Sequence, residues 1–425
     1  MLLRRLHNRG FFHLLTANFL TQAMGFGTSL FVAKFLTPVE LGEVKVLQSY
    51  TAVFIVLAGL GYNAAVLKRC SEALDDAEYA RTLHLALHRA LLGSFAAMVL
   101  VVGLVEAGLL TASAHLARWL PIYAAIIPFT VTTNILIVYL QARNRIKEMA
   151  RAQTVIKLES FVAVVTATWL WGFPGFVFAT LVAYVAGLLP VLKEIRPAWL
   201  LRPPIASPPG FAKLAHWSLL ANGIAIVGLY TDIFMLDHFI QDRSGIGYYT
   251  LATIFVLAAM QVTTTVQAIA TPEFSHRAGD AAWFRRHLPK QQARLTALSW
   301  VVAAVIYLVA LVVVPLVYGP RYQSTLVYLP ILLLRFVVWS SYAIIGVALF
   351  GLGLVRYNVL AIAVATPIGF VLSYLWLRHY GIVGLAWAQV ATALCTLGIQ
   401  LIQARIGLRR SFQVADAAVT TTTLL

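Results

Sequence analysis

The chain has 425 residues, of which 60% are hydrophobic and 11% charged, and its mean hydropathy is +0.83. A soluble domain is nearer half apolar and a quarter charged, so an ordinary cytosolic enzyme is excluded, and the plentiful apolar and aromatic residues exclude disorder. What remains is an all-α polytopic membrane protein, in which the excess of 32 Lys and Arg over 16 Asp and Glu reflects loop charge asymmetry rather than nucleic-acid binding.

A bilayer core needs about 20 apolar residues per helix. The basic N-terminus, MLLRRLHNRG, precedes a first span near 12–33 that is too long for a signal-peptide core and is read as a retained helix. Further spans follow at 46–67, 88–110 and 119–142. The uncharged run 160–192 is long enough for two helices, broken at Trp171-Gly-Phe-Pro-Gly175. Spans near 213–236, 244–272, 295–320, 326–350, 357–377 and 379–404 complete twelve. With the N-terminus in the cytoplasm, inner segments hold 24 basic residues and outer ones 6, the latter being Lys34, Lys45, Arg118, Arg243, Arg321 and Arg378. That asymmetry places both termini in the cytoplasm. Cys70 and Cys395 match no metal or redox spacing.

The halves carry related punctuation. Phe35-Leu-Thr-Pro-Val-Glu-Leu-Gly42 and Phe239-Ile-Gln-Asp-Arg-Ser-Gly-Ile-Gly247 each enter a second helix, their last glycines 205 residues apart. Gly172-Phe-Pro-Gly175-Phe-Val-Phe-Ala179 matches Gly381-Ile-Val-Gly384-Leu-Ala-Trp-Ala388 at an offset of 209. Six helices per half give parallel repeats. The expected organisation is an N-terminal lobe over 1–200, a cytoplasmic linker at 201–213 and a C-terminal lobe over 214–425, the two six-helix lobes flanking a central cleft suited to alternating access.

At this point the residues resemble a family. Leu41-Gly42 leading through Gly59-Leu-Gly61-Tyr-Asn-Ala-Ala-Val-Leu-Lys68-Arg69 looks like the second helix of bacterial polysaccharide-unit flippases. Tyr230-Thr-Asp232, Gly247-Tyr-Tyr249, Pro272-Glu-Phe, Pro315-Leu-Val-Tyr-Gly319 and Gly381-Ile-Val-Gly384 resemble their second half, so the resemblance runs over about residues 11–405. It implies membership of the multidrug/oligosaccharidyl-lipid/polysaccharide exporter superfamily, nearest the O-antigen and exopolysaccharide flippases. Two departures narrow the choice. Aligned on Met24-Gly25-Phe26, the first helix offers Gln22, Thr28 and Ser29 where peptidoglycan-precursor flippases are arginine-rich. Residues 12–33 also hold no Asp or Glu, unlike many drug-extruding members.

Arg335 is the most informative candidate, at mid-span in Pro330-Ile-Leu-Leu-Leu-Arg335. An arginine there costs about 2.5–3.5 kcal/mol on insertion scales and should face a cleft or a partner. Its planar fork suits a diphosphate, and Tyr328, Trp339 and Tyr342 share its helical face, where they would stack on sugars. The alternative is that Arg335 bonds carbonyls while the aromatics pack. Lys68 and Arg69 would meet a lipid diphosphate from the inner side, or serve topology and anionic-lipid contact. Lys157, near Glu159, either lines the inner cleft or snorkels to the interface. Lys34 and Asp232, at the outer ends of the first and seventh helices, are candidates for a gate or for ion coupling. Asn222, Gln261 and Gln267 would bond sugar hydroxyls or neighbouring helices. His84 and His88 lack the acid and third ligand of a zinc site, and no P-loop occurs.

The expected function is a flippase moving polyprenyl-diphosphate-linked oligosaccharide from the inner to the outer leaflet of the bacterial cytoplasmic membrane. No cofactor or nucleic acid is expected. A proton or sodium gradient is the candidate energy source, and the expected partners are the lipid-linked glycan, membrane lipids and other polysaccharide assembly proteins. The alternatives are an ion-coupled multidrug antiporter of the same fold and a membrane glycosyltransferase or polymerase.

Overall fold

The structure, a computed structural model, describes residues 11–72, 74–111, 113–195, 210–240, 242–277 and 280–422. Arg4, Arg5 and Arg9 and residues 201–209 of the expected linker lie outside them. The described residues form helices joined by short turns, with no strand. In chain order these are α1 (Phe11–Phe35), α2 (Pro38–Ala58), α3 (Tyr62–Cys70), α4 (Asp76–Glu106), α5 (Ala114–Ala124) and α6 (Ile127–Ala142). Next come α7 (Ile146–Ala186), α8 (Leu188–Glu194), α9 (Phe211–Phe239), α10 (Arg243–His276), α11 (Ala281–Val313), α12 (Thr325–Gly351) and α13 (Val355–Thr422). A π-helical turn, Val314–Tyr318, extends α11.

Local signals set the starts. Thr37 caps α2 by accepting from the Glu40 amide at 3.3 Å, while Glu40 accepts from the Thr37 amide at 2.8 Å, and Pro38 occupies the first turn. This reciprocal pairing satisfies donors that a helix start leaves open. Asp75 caps α4 through the Glu78 amide at 2.6 Å, and Asp280 caps α11 through the Trp283 amide at 2.9 Å.

Eight of these stretches are long and apolar enough to span a membrane, and α5 with α6 forms a further span bent by 43°. Two of the eight, 146–194 and 356–407, each contain a break. Counting each side of a break as a crossing, and adding the 25-residue α1, gives the twelve crossings expected from sequence. The surface agrees: Leu316, Val99 and Ile269 are 80%, 73% and 72% exposed, an apolar display that water would not tolerate but lipid does.

The breaks bear out the repeat. Gly172 has φ 61° and ψ −139°, and Gly381 has φ 62° and ψ −149°. Only glycine adopts this region readily. Three residues later, a Cβ on Gly175 would lie 2.1 Å from the Ala167 carbonyl oxygen, and one on Gly384 2.2 Å from that of Trp376. In each case the struck carbonyl belongs to the eighth residue back, about 12 Å away along a continuous helix. The chain therefore folds back on itself identically at both places. The exposed aromatics just before the turns, Trp171 and Tyr380, also correspond and suit a membrane interface.

By packing, the chain divides into two compact units, Met1–Gly247 and Tyr248–Leu425. In the first, α1 lies along α7, and α2 packs on α4, α6 and α9. Helix α9, the first of the second sequence half, thus belongs by its contacts to the first unit. The second is built on Phe274, Phe284, Leu288, Leu295, Ile344 and Ala348, which join α10, α11 and α12. Ile345 and Leu349 pack against Ala404 of α13.

Because both fold-back turns require glycine, Gly172→Ala and Gly381→Ala should each destabilise the protein by about 1–3 kcal/mol. Melting temperatures of the detergent-purified variants should fall, whereas Gly103→Ala, where a Cβ meets nothing within 4 Å, should leave the melting temperature unchanged.

Candidate functional site

Membrane burial makes an unpaired charge expensive, so charged side chains inside the first unit mark its specialised region. They converge where α2, α5, α9 and the start of α10 meet. Asp237 of α9 has a fully buried side chain. Its carboxylate accepts from the Tyr50 hydroxyl at 3.0 Å, from Thr111 Oγ1 at 3.2 Å and from the Arg243 guanidinium. Tyr50 is held in turn by stacking on Phe234 at 4.9 Å between ring centroids. Three donors from three separate segments thus neutralise one carboxylate, which satisfies it and ties the segments together.

Two further polar contacts flank it. Glu43, 6% exposed, meets His115 Nδ1 at 2.9 Å, and the Trp119 indole donates to His115 Nε2 at 3.2 Å. The ammonium of Lys45 lies 5.3 Å from the Tyr230 ring centroid and within electrostatic reach of Asp232. Backbone contact seals the same region. A Cβ on Gly247 would sit 1.8 Å from the Pro38 carbonyl oxygen, and one on Gly42 3.0 Å from the Gly247 amide nitrogen. The two glycines matched across the sequence repeat therefore touch, and no larger residue fits there.

The sequence candidates are placed as follows. Asp232 is buried at 8% exposure, with its Oδ1 accepting from the Ile233 amide at 2.9 Å, while Lys34 is exposed at the end of α1. Arg335 is half-buried in the middle of α12 and has no carboxylate partner among the described residues. Tyr342 stands beside it electrostatically, and both Tyr342 and Trp339 are half-buried. Tyr328 instead packs edge-on against Tyr249 at 6.4 Å. Lys68 is exposed, but Arg69 is engaged by Glu72 and lies 3.9 Å from Glu78. Beside it, burial pushes the Cys70 thiol up to about 12, so it stays protonated at neutral pH. Lys157 and Glu159 are exposed on α7.

Two of the amides join helices. Gln267 donates to the Ala343 carbonyl at 3.0 Å, and Gln292 to that of Ser340 at 2.8 Å. Gln261 accepts from Thr264 at 3.4 Å, and Asn222 bonds Ser218 at 3.0 Å. Thr28 and Ser29 bond carbonyls of their own helix. His84 and His88 stack at 6.2 Å, and no group of three potential metal ligands occurs among the described residues.

Sequence reasoning missed Glu43, Tyr50, His115 and Asp237 and read Lys45 and Arg243 only as outer-loop charges. The available signal was the Glu43–Lys45 pair in a largely apolar helix, together with a second acid, Asp237, on the seventh.

The arrangement is that of a membrane protein with a charge-locked helix junction, and comparison supplies its kinship. A family model described as "Polysaccharide biosynthesis protein" matches residues 8–277, more than half the chain. The chain belongs to that family. No curated protein matches it in sequence. Among solved structures it is similar to the lipid II flippase MurJ in an inward closed conformation, at 13% identity and a TM-score of 0.77, covering 97% of this chain and 92% of that one. It is also similar to an inward-facing multidrug resistance MATE transporter of the MOP superfamily, at 15% identity and TM-score 0.67, covering 92% and 96%. A MOP superfamily transporter from Pyrococcus furiosus, whose binding pocket has reverse polarity, matches at 11% identity and TM-score 0.64, covering 96% and 95%. At such identities the likeness speaks to fold, which is that of MOP-superfamily transporters and flippases.

The Asp237 junction makes a quantitative claim. Asp237→Asn strands a buried guanidinium and should cost about 3–5 kcal/mol, against about 1 kcal/mol for Tyr50→Phe. In a double-mutant cycle, Asp237→Asn with Arg243→Gln should destabilise less than the sum of the single changes, read from thermal unfolding in detergent. Additive losses would dissolve the proposed lock.

Proposed function

We propose that this protein is a flippase carrying polyprenyl-diphosphate-linked oligosaccharide, an O-antigen or exopolysaccharide repeat unit, from the inner to the outer leaflet of the bacterial cytoplasmic membrane. The observation that carries the reading is the half-buried Arg335, a membrane-depth cation with no carboxylate partner among the described residues, in a chain of the polysaccharide biosynthesis family. A permanent planar cation suits a diphosphate, and Trp339 and Tyr342 beside it offer flat faces to sugar rings. The lipid tail would stay in the bilayer while the charged headgroup crosses within protein, avoiding the cost of charge in hydrocarbon. Lys68, Lys157 and, once released from its acids, Arg69 are the proposed inner-side contacts for the headgroup. Other polysaccharide assembly proteins are the proposed partners.

Transport would proceed by alternating access of two six-helix lobes, 1–200 and 214–425, joined by the 201–213 linker, with a proton or sodium gradient as energy source. The 24-to-6 basic asymmetry supports cytoplasmic termini and sets the Asp237 junction on the outer side, where it would act as the outer gate together with Lys34 and Asp232. Reporter fusions at Arg321 and at Arg410 should therefore report opposite compartments. The same compartment for both would overturn the orientation.

Arg335 is testable by substitution. Arg335→Ala should abolish export of lipid-linked glycan at unchanged levels of inserted protein, whereas Arg335→Lys should retain part of it as a point charge. A glycan-export assay with membrane protein quantified in parallel decides this, and full activity of the Ala variant would reject Arg335 as a cargo ligand. Drug efflux by the wild type without glycan export would favour the antiporter reading instead.

A further inference from the structure

The buried Glu43 has a partner that the Asp237 lock does not use. The Trp119 indole nitrogen is a donor only, so its 3.2 Å contact requires His115 Nε2 to accept. The imidazole proton must then sit on Nδ1 and point at Glu43 Oε2, 2.9 Å away. The geometry therefore describes a neutral imidazole bridging an indole and a buried carboxylate, with one vacancy for a proton, at Nε2.

Filling that vacancy changes the contacts in a defined way. A proton on Nε2 turns the acceptor into a donor, so the Trp119 N–H loses its partner and faces a like dipole. At Nδ1 the hydrogen bond to Glu43 becomes a charge-assisted one and strengthens. One proton taken up thus exchanges the His115–Trp119 bond for a tighter His115–Glu43 pair. His115 is about half exposed, with a side-chain exposure of 51%, so a proton has a route to it, whereas Glu43 at 7% does not share that access.

What Trp119 holds gives the exchange a mechanical meaning. Its ring meets Phe173 edge-on at 5.7 Å and Phe178 edge-on at 5.8 Å, and His115 lies 5.3 Å from Phe173. Phe173 directly follows Gly172, the fold-back turn of α7, and Glu40 of α2 lies 3.9 Å from where a Gly172 Cβ would be. The indole therefore links α5 to the helix leaving that turn, while His115 links α5 to α2. The other charges acting on the pair are Glu40 on α2 and Arg243 at the start of α10. Arg118, on the same helix as His115, and Glu106, ending α4, are both exposed, and the face presented by α7 is aromatic. A metal ion is poorly served by one imidazole and one carboxylate.

We propose that Glu43, His115 and Trp119 form a proton-binding site in which protonation of His115 frees the Trp119 indole from the His115 ring and loosens the α2–α5–α7 junction, coupling proton uptake to transport. The proposal rests on the flippase reading for its coupled step and on geometry alone for the proton site. In the proposed orientation the site lies at the outer face, open to the more acidic side of an energised membrane.

The test uses the full-length protein in lipid nanodiscs, with tryptophan fluorescence followed from about pH 8.5 to about pH 4.5, a range that brackets histidine titration. The difference between wild type and Trp119→Phe isolates the indole. A single quenching transition is expected, absent in His115→Gln and altered in Glu43→Gln, which removes the carboxylate facing Nδ1. A transition that survives in His115→Gln, or no transition at all, overturns the proton site. Should Glu43→Gln fail to fold, the half-exposed His115→Gln still decides. In parallel, proteoliposomes loaded with lipid-linked oligosaccharide are assayed with and without an inward proton gradient. A gradient should raise wild-type flipping at least about tenfold and leave His115→Gln unmoved. Flipping that ignores the gradient overturns the coupling. No flipping under any condition, beside an intact fluorescence transition, removes the flippase reading and leaves the proton site standing.

Discussion

A carboxylate removed from water must be met by donors, and in this protein the buried carboxylate of Asp237 organises the region around it. Burying such a group alone would cost several kcal/mol, and here Tyr50, Thr111 and Arg243 share the task. Each comes from a different segment, so satisfying the charge holds α2, the connection between α4 and α5, and the turn between α9 and α10 in one arrangement. The close approach of Gly42 and Gly247 depends on that arrangement, because backbone separations this short leave no room for adjustment. Breaking the network would release several elements together.

The repeat supplies the second organising constraint. Gly172 and Gly381 adopt one unusual backbone conformation, and Gly175 and Gly384 then bring the returning helix against the eighth residue back. A turn made by a single non-helical residue has little freedom, so it acts as a fixed pivot rather than a loose loop. The first pivot also borders the Glu43–His115–Trp119 contacts through Phe173, whereas Gly381 is followed by Ile382 and Val383. The halves thus share a backbone device set in different side-chain surroundings.

Elsewhere, polar side chains serve packing. Gln267 and Gln292 bond backbone carbonyls of α12, and Thr263 meets Ser340 at 2.9 Å. In a lipid surround such bonds compensate for the weak hydrophobic drive between helices. Arg335 stands apart from them on the same α12: half-buried, with an aromatic neighbour and no acid among the described residues. Gln267 and Gln292 hold helix to helix, whereas Arg335 makes no ion pair among the described residues.

Read alone, the sequence determined the class of protein, the number of crossings and the fold-back turns, because these depend on local quantities. An apolar run of about 20 residues can do little but cross a bilayer, and a Gly-x-x-Gly spaced alike in both halves marks a backbone conformation that few other residues adopt. Arg335 stood out as a candidate for the same reason, as one cation within a long uncharged run. The Asp237 network was not, since its bonded partners lie as many as 187 residues apart and each alone looks ordinary. Lys45 and Arg243 counted as loop charges because a charge near a helix end is usually solvated; only packing turned them inward. His115 was silent until the fold set Glu43 on one side of its ring and Trp119 on the other. Which residues pair depends on long-range closure, and that was decided by the tertiary structure.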